Sequence, residues 1–271
     1  MKYALANMLN GYGVRGLDAD AKAYIDTVVA AGATVTSTQR NAINAFVKGG
    51  KTNGWWSSMK RIYLPIWGIA APNAIEMATR ASGTFVGTVA HSSGFVKGDG
   101  STGYFDFGTR MPNDGLTSAS GLLFCLVKVA DNMSTGASML GQGTAANNQG
   151  IRQSTVSNIQ ARYSGTGLSL NGGNARTGII SISSSANTSR SFRRRITSGV
   201  TSLATSAGEA AFTLSSANCF AMARNASGLS EPTNAELGSY GYMLGLSDAN
   251  TDIFTLALKN LWETCTGLTL P

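Results

Sequence analysis

From Thr84 onward the apolar residues come in short, closely spaced runs separated by turn residues, and this pattern predicts strands. Thr84 to Val89, Tyr104 to Phe107, Leu122 to Val127, Asn158 to Tyr163, Gly178 to Ile182, Ser191 to Ile196, Cys219 to Ala223 and Tyr240 to Leu244 each read as one. Strands this short and numerous, with no helical stretch between them, predict an antiparallel sandwich of jelly-roll type. Ahead of them the period is helical. Asp18 is placed to cap a helix through Tyr24, Ile25, Val28 and Val29 that stops at Gly32. A second helix starts near Thr36 to Gln39, carries Ile43, Phe46 and Val47 at three- and four-residue spacing, and closes at Gly49-Gly50. Trp55, Trp56, Met59 and Ile62 predict a third, short one. Helices this short are marginal alone, so they must dock on something larger. A last helix begins at Ser247-Asp248, places Phe254, Leu258, Leu261 and Trp262 on one face, and ends at Gly267. Asp248 and Asp252 in its first turns complement the helix dipole.

The chain thus reads as an N-terminal arm (1–17), a helical segment that docks on the sandwich (18–68), and a mainly β jelly-roll body (69–271) closed by a helix over 248–265. There is no repeat of fixed period, and no linker long or polar enough to separate independent domains.

Composition agrees with this picture. A chain of 271 residues, 43% hydrophobic, can bury a full core, and 33 glycines with only 13% charged residues suit many turns. The net charge of +7 is unevenly spread: residues 1–68 hold eight Lys/Arg against three Asp, residues 131–230 eight Arg against two acids, and residues 231–271 one Lys against five acids. A basic front and middle with an acidic end suits an acidic neighbour, or head-to-tail attraction between copies. The basic residues are mostly isolated, with no stacking strand or helix-turn-helix pattern, which argues against nucleic acid. The longest apolar run, Ile62 to Ala71, is broken by Pro65 and Gly68, so no segment reaches the roughly 20 residues needed to span a bilayer. Cys125, Cys219 and Cys265 form no CxxC pair and sit in apolar settings, as buried free thiols of a protein folded in a reducing cytoplasm. With one histidine, no zinc site or other cofactor is indicated.

Candidate chemistry is sparse. Glycoside hydrolysis needs two carboxylates facing one cleft, roughly 5–10 Å apart. None of Glu76, Glu209, Glu231, Glu236 and Glu263 lies in an alternating acidic pattern, and Asp106 stands alone on its strand. His91 has no Gly-x-Ser-x-Gly elbow nearby and reads as a hydrogen-bonded loop residue. Gly98 to Gly103 reads as a tight turn into the following strand, the alternative being a calcium ion held by Asp99 and backbone oxygens. Arg190 and Arg193 to Arg195 form the one charge cluster. On a strand Arg193 and Arg195 point the same way, either as a solvated sheet edge or as a dock for an acidic partner. Trp55, Trp56 and Trp67 are spaced for burial between helices and sheet rather than for stacking on sugars.

The segments Asp18 to Ile25, Thr38 to Asn44 and Trp56 to Lys60, followed by Ile62-Tyr63-Leu64-Pro65-Ile66-Trp67-Gly68, Val89 to Ser93 and Gly100 to Tyr104, together resemble a family of phage and prophage virion proteins. Phe220 to Asn225 and Tyr242 to Ala249 are similar to that family's closing strands and final helix. The resemblance covers most of residues 18–265. It implies a concanavalin A-like (laminin G-like) sandwich and a place in the virion, assembled in the host cytoplasm, and it brings no catalytic or ligand-binding residues. The function expected from it is that of a non-enzymatic structural part of the particle, a head decoration, fibre or tail component, touching other virion proteins and forming a homo-oligomer such as a trimer. Tyr3, Leu5, Met8, Leu9 and Tyr12, set among glycines, are the candidate anchoring contacts, with Arg193 and Arg195. The alternative is an adhesin that recognises host-surface glycans through loops at one edge of the sandwich.

Overall fold

In the computed structural model, two stacked β-sheets form the body and a helical layer lies on one of them. The structure describes residues 16–129, 136–143, 149–153, 159–163, 170–171, 177–186, 189–207, 213–226 and 228–271. Tyr3, Leu5, Met8, Leu9 and Tyr12 of the expected anchoring arm lie outside these residues.

The helices are α1 (Ala19–Ala30), α2 (Ser37–Thr52), the single turn α3 (Ala70–Asn73) and α4 (Asp248–Thr266). The strands are β1 (Met59–Tyr63), β2 (Thr84–Val86), β3 (Val89–Ser92), β4 (Phe95–Gly98), β5 (Tyr104–Asp106), β6 (Gly121–Val129), β7 (Ser138–Gln142), β8 (Gln149–Gln153), β9 (Ile159–Tyr163), β10 (Leu170–Asn171), β11 (Gly178–Ala186), β12 (Ser189–Ile196), β13 (Gly199–Ala207), β14 (Phe220–Ala221), β15 (Arg224–Asn225), β16 (Leu229–Ser230) and β17 (Glu236–Met243). The first sheet runs β13-β12-β11-β6-β17-β4-β3, with β1 also on β17; the second runs β10-β9-β8-β7-β14-β5-β2, extended by β15 and β16. This is the jelly-roll sandwich that the strand pattern predicts.

The alternation along β6 explains the layering. Leu123, Cys125 and Val127 point between the sheets, where they meet Ile180, Ile182, Tyr240 and Tyr242 of the first sheet and Leu140, Ile151, Ile159 and Ala161 of the second. Leu122, Phe124 and Leu126 point the other way, onto Phe46, Phe254, Leu258 and Trp262 of the helical layer. A strand covered on both faces needs apolar residues at every position, hence the unbroken run Leu122 to Val127.

The helix starts follow their caps. The Asp18 carboxylate accepts from Asp20 N at 3.0 Å, Thr36 and Gln39 complete a reciprocal capping box on α2, and the Ser247 hydroxyl caps α4. α4 closes at Gly267, whose φ of 71° is a left-handed conformation suited to glycine.

Two expectations are corrected. Met59 to Tyr63 is not the end of a third helix. After a short 3-10 turn at Trp56–Ser58 the chain extends into β1, antiparallel to β17 with Ile62 opposite Gly241 and Tyr63 opposite Tyr240. The three-residue spacing of Trp56, Met59 and Ile62 arises from a turn running into a strand, and a domain boundary at residue 68 would cut through the first sheet. The second correction concerns the arginines. β12 is an interior strand between β11 and β13, so Arg193 and Arg195 do not form a solvated sheet edge. Arg193 pairs with Asp248 and Asp252 of α4, and Arg195, 9% exposed, donates to Thr255 Oγ1 at 2.9 Å and to the Asp252 carbonyl at 2.7 Å. Both fasten the C-terminal helix to the sheet.

Candidate functional site

The helical layer covers the outer face of the first sheet. The outer face of the second sheet carries the polar half of its alternation, and this is where an unassigned cluster of groups assembles. Inward residues of β9 are Ile159, Ala161 and Tyr163, so Gln160 and Arg162 face outward; in β8, Ile151 faces inward and Gly150 and Arg152 outward. The register joins these positions into rows. Asp106, Phe220, Gly141, Gly150 and Arg162 stand opposite one another across β5, β14, β7, β8 and β9, and Arg152 stands opposite Gln160 in the next row. Gly141 and Gly150 bring no side chain to the middle of the face. Phe220 packs on Tyr104 at one side, ring centroids 4.4 Å apart. With neighbouring strands about 4.8 Å apart, Phe220 and Arg162 are rooted roughly 14 Å from each other.

Around this strip gather charged groups. Glu231 Oε1 accepts from Arg224 Nη2 at 2.7 Å and Arg152 Nη1 at 3.3 Å, while Oε2 takes the Ser138 hydroxyl at 3.0 Å. Arg152 also donates to Gln160 Oε1 at 3.3 Å, and Arg224 to the Gly143 carbonyl at 3.0 Å. Burial lowers the Arg162 pKa, and repulsion from Arg152 and Arg224 lowers it further. What the cluster can offer a ligand is charge and hydrogen bonding.

Of the carboxylates weighed from sequence, Glu231 joins the cluster, Glu209 lies outside the described residues, and Glu76, Asp99 and Asp106 are held by local hydrogen bonds. Glu76 is fully buried and accepts from the N–H groups of Ile62, Ala78 and Thr79; burial pushes its acid up despite those donors. The Thr102 hydroxyl, then the N–H groups of Gly103, Ser101 and Thr102, hold the Asp99 carboxyl below the ordinary range, so the glycine-rich segment is a turn built on its own aspartate. Asp106 accepts from Gly108 N at 2.8 Å and Asn218 Nδ2 at 3.3 Å. His91 Nδ1 lies 3.1 Å from Asn73 Nδ2, with its ring edge-on to Phe85. Trp55 is buried against Phe46 and Phe254 beneath the helices, as its setting predicts.

Two other recesses exist. A groove of about 520 Å³ runs between α2 and α4, floored by Ala42, Ala45, Phe46, Ala257 and Leu261. A hydroxyl-lined recess of about 330 Å³ lies beside the start of α4, among Ser183, Ser189, Arg190, Ser191, Thr205 and Ser247.

Sequence reasoning fixed on the contiguous arginines at 193–195 and passed over Arg152, Arg162, Arg224 and Glu231, which are scattered over 80 residues. The available signal was the alternation over Asn158 to Tyr163, which already turns Arg162 away from the core.

No family model and no curated protein sequence matches the chain. Among solved structures it is similar to domain 4 of AbnA, a GH43 extracellular arabinanase from Geobacillus stearothermophilus, in complex with arabinotriose, at 12% identity and a TM-score of 0.50, covering 74% of this chain and 98% of that one. The receptor binding domain of botulinum neurotoxin C/D mosaic serotype is similar at 12% identity and a TM-score of 0.47, over 75% of this chain and 51% of that one. The CBM40 of Ruminococcus gnavus IT-sialidase, bound to alpha2,6 sialyllactose, gives 15% identity and a TM-score of 0.35, over 52% and 83%. At such identities likeness speaks to fold alone, and the arabinanase domain, matched over nearly its whole length, agrees with the two-sheet jelly-roll sandwich built above.

Proposed function

We propose that this chain is a carbohydrate-recognition protein that presents the outer face of its second sheet to a surface glycan, working by contact rather than turnover. The observation that carries the reading is that Tyr104 and the cluster of Arg152, Arg162 and Arg224 share one sheet face, opposite the helical layer, with Gly141 and Gly150 in the rows between them. Sugar sites combine an aromatic or flat apolar surface with a few convergent polar donors; on this face the half-buried Tyr104, packed on a buried Phe220, stands on the same side of the sheet as the arginines. The arabinanase domain of similar fold was solved with arabinotriose; fold alone does not transfer function, so the site residues bear the argument. The setting we propose, a phage particle, rests on the family resemblance of residues 18–265.

The test is a glycan array with the full chain, repeated with Arg162→Glu on the site and Lys48→Glu on the helical side. Saturable binding that Arg162→Glu abolishes and Lys48→Glu leaves intact supports the reading; absence of binding to any glycan, or binding indifferent to Arg162→Glu, overturns it.

A second reading, attachment to other virion proteins, is favoured by the apolar groove between α2 and α4 and by the exposed Ile253 and Leu256 on α4. Deleting residues 1–17 should then leave a soluble fold that no longer joins particles; continued incorporation would remove the arm's role.

A further inference from the structure

A surface helix ordinarily turns charged residues to solvent, but along the groove between α2 and α4 the outward residues are uncharged. α2 presents Thr38, Asn41 and Ala45 there, and α4 presents Ile253, Leu256, Asn260 and Thr264, all of them exposed. With Ala257, the α4 residues follow one another at three- and four-residue steps, so they form a single stripe beside the groove. Ala42, Ala45 and Ala257 bring no side chain beyond Cβ, and the trough stays open at about 520 Å³. An exposed apolar trough between helices suits a segment whose apolar residues recur at i, i+3, i+4 and i+7. In residues 1–15, Leu5, Met8, Leu9 and Tyr12 follow that spacing, and the charged residues are Lys2 and Arg15 alone.

The place where this segment joins the described structure decides whose groove it can fill. The Gly16 carbonyl accepts from Lys48 Nζ at 3.4 Å, and Asp18 N donates to Asn44 Oδ1 at 2.8 Å. Ala42 and Phe46, on the groove side, are each two residues from Asn44 and so roughly half a turn around α2 from it. A backbone packed on a helix runs about 8–10 Å from its axis, so passing from that flank to the groove covers roughly 17–25 Å. The four steps from Gly16 back to Tyr12 span at most about 14 Å. The anchor nearest the tether therefore falls short of the groove of its own chain.

On the second reading above, in which the groove is an attachment surface, we infer that its occupant is the N-terminal segment of a second copy of this chain. Leu5, Met8, Leu9 and Tyr12 rest against Ala42, Ala45, Ala257 and Leu261. The contact sets the basic front of one copy against the acidic end of the next, where residues 231–271 hold one Lys against five acids. Each copy gives one segment and takes one, a head-to-tail contact that closes into a ring or runs on as a chain.

The test places single cysteines beside the contact, in a Cys265→Ser background that removes the partly exposed thiol. Full chain carrying Asn7→Cys is mixed with full chain carrying Asn41→Cys or Asn260→Cys and treated with a short bis-maleimide. The exchange predicts covalent pairs that join the two variants, and light scattering that shows the parent chain assembling as concentration rises. Leu9→Asp in the segment and Ala45→Trp in the groove should each weaken that assembly at least tenfold without lowering the melting temperature of the dissociated chain. A parent chain that stays monomeric, or a mixture that does not cross-link, overturns the inference. So do cross-links formed only within single chains that carry both cysteines, which put the segment in its own groove. If deletion of residues 1–17 still abolishes joining to particles in those cases, attachment to another virion protein stands and the exchange alone falls. Incorporation without the segment removes its role in both.

Discussion

Arg193 of β12 and Asp252 of α4 meet through two parallel hydrogen bonds, Nε to Oδ1 at 3.0 Å and Nη2 to Oδ2 at 2.6 Å. The pair is the pivot by which the last helix is pinned to the sheet, since Arg195 binds the Asp252 carbonyl from the next outward position of the same strand. The Arg193 side chain is 15% exposed and that of Asp252 35%, so solvent screens the contact only in part. Arg193→Ala should lower unfolding free energy by about 1.5–3 kcal/mol, the range for hydrogen bonds to charged groups. In urea denaturation a cycle with Asp252→Asn should show strong coupling between the two sites. Additive losses would mean that the apolar face of α4 alone holds it in place.

Trp55 sits fully buried beneath the helical layer, its ring 4.9 Å from Phe46 and 5.4 Å from Phe254, and it lies against Gly50, where an added Cβ would come within 2.6 Å of the indole. Its Nε1–H meets no acceptor among the described residues. Trp55→Ala should cost about 3–5 kcal/mol through the cavity it leaves. Trp55→Phe should cost much less, because it keeps ring contacts and removes a buried donor whose desolvation is worth about 1–3 kcal/mol. Equal losses in thermal unfolding would show that the indole N–H is satisfied in solution.

The thiols offer a chemical check of the layering. Burial pushes Cys125 and Cys219 well above the ordinary thiol range and Cys265, which is partly exposed, up to about 12. Thiolate is the reactive form. Iodoacetamide at pH 8 should therefore leave the native protein almost unlabelled over minutes, with Cys265 modified first on long exposure, and should label all three in urea. Prompt native labelling of Cys125 would mean that the sheets separate on that timescale.

How far these features were legible in the sequence depends on how locally each is encoded. The caps at Asp18, Thr36 and Ser247 are local, and helices begin where they predict. The run Leu122 to Val127 reads as a strand from sequence, and the structure adds that both its faces are covered. β1 was misread because Trp56, Met59 and Ile62 are spaced like a helix face, and only pairing with β17, some 180 residues on, makes Met59 to Tyr63 a strand. The candidate site was hidden for the same reason. Arg162 is visibly outward in β9, but its nearness to Arg152, Arg224 and Glu231 depends on registers between β7, β8, β9 and the β15–β16 turn that no local pattern specifies. The contiguous arginines of β12 drew attention by adjacency, while tertiary structure turned them to a structural task.

The one histidine of the chain makes the pH dependence of the sheet edge directly readable. His91 Nδ1 lies 3.1 Å from the Asn73 amide nitrogen, an arrangement that suits a neutral ring accepting from Asn73, and burial lowers its pKa below the ordinary 6.5. Protonation would set an N–H against an N–H in a partly desolvated place beside Phe85. Between the folded pKa and 6.5 the unfolded chain binds more protons than the folded one, so this residue's contribution is complete above 6.5 and is lost as pH falls through the folded value. NMR titration of the lone imidazole should give a midpoint below 6.5. In His91→Gln, whose side-chain oxygen can accept from Asn73 at any pH, the fall in stability over that acidic window should be smaller than in the parent. A midpoint at or above 6.5 would place a compensating acceptor at the ring and reverse the sign.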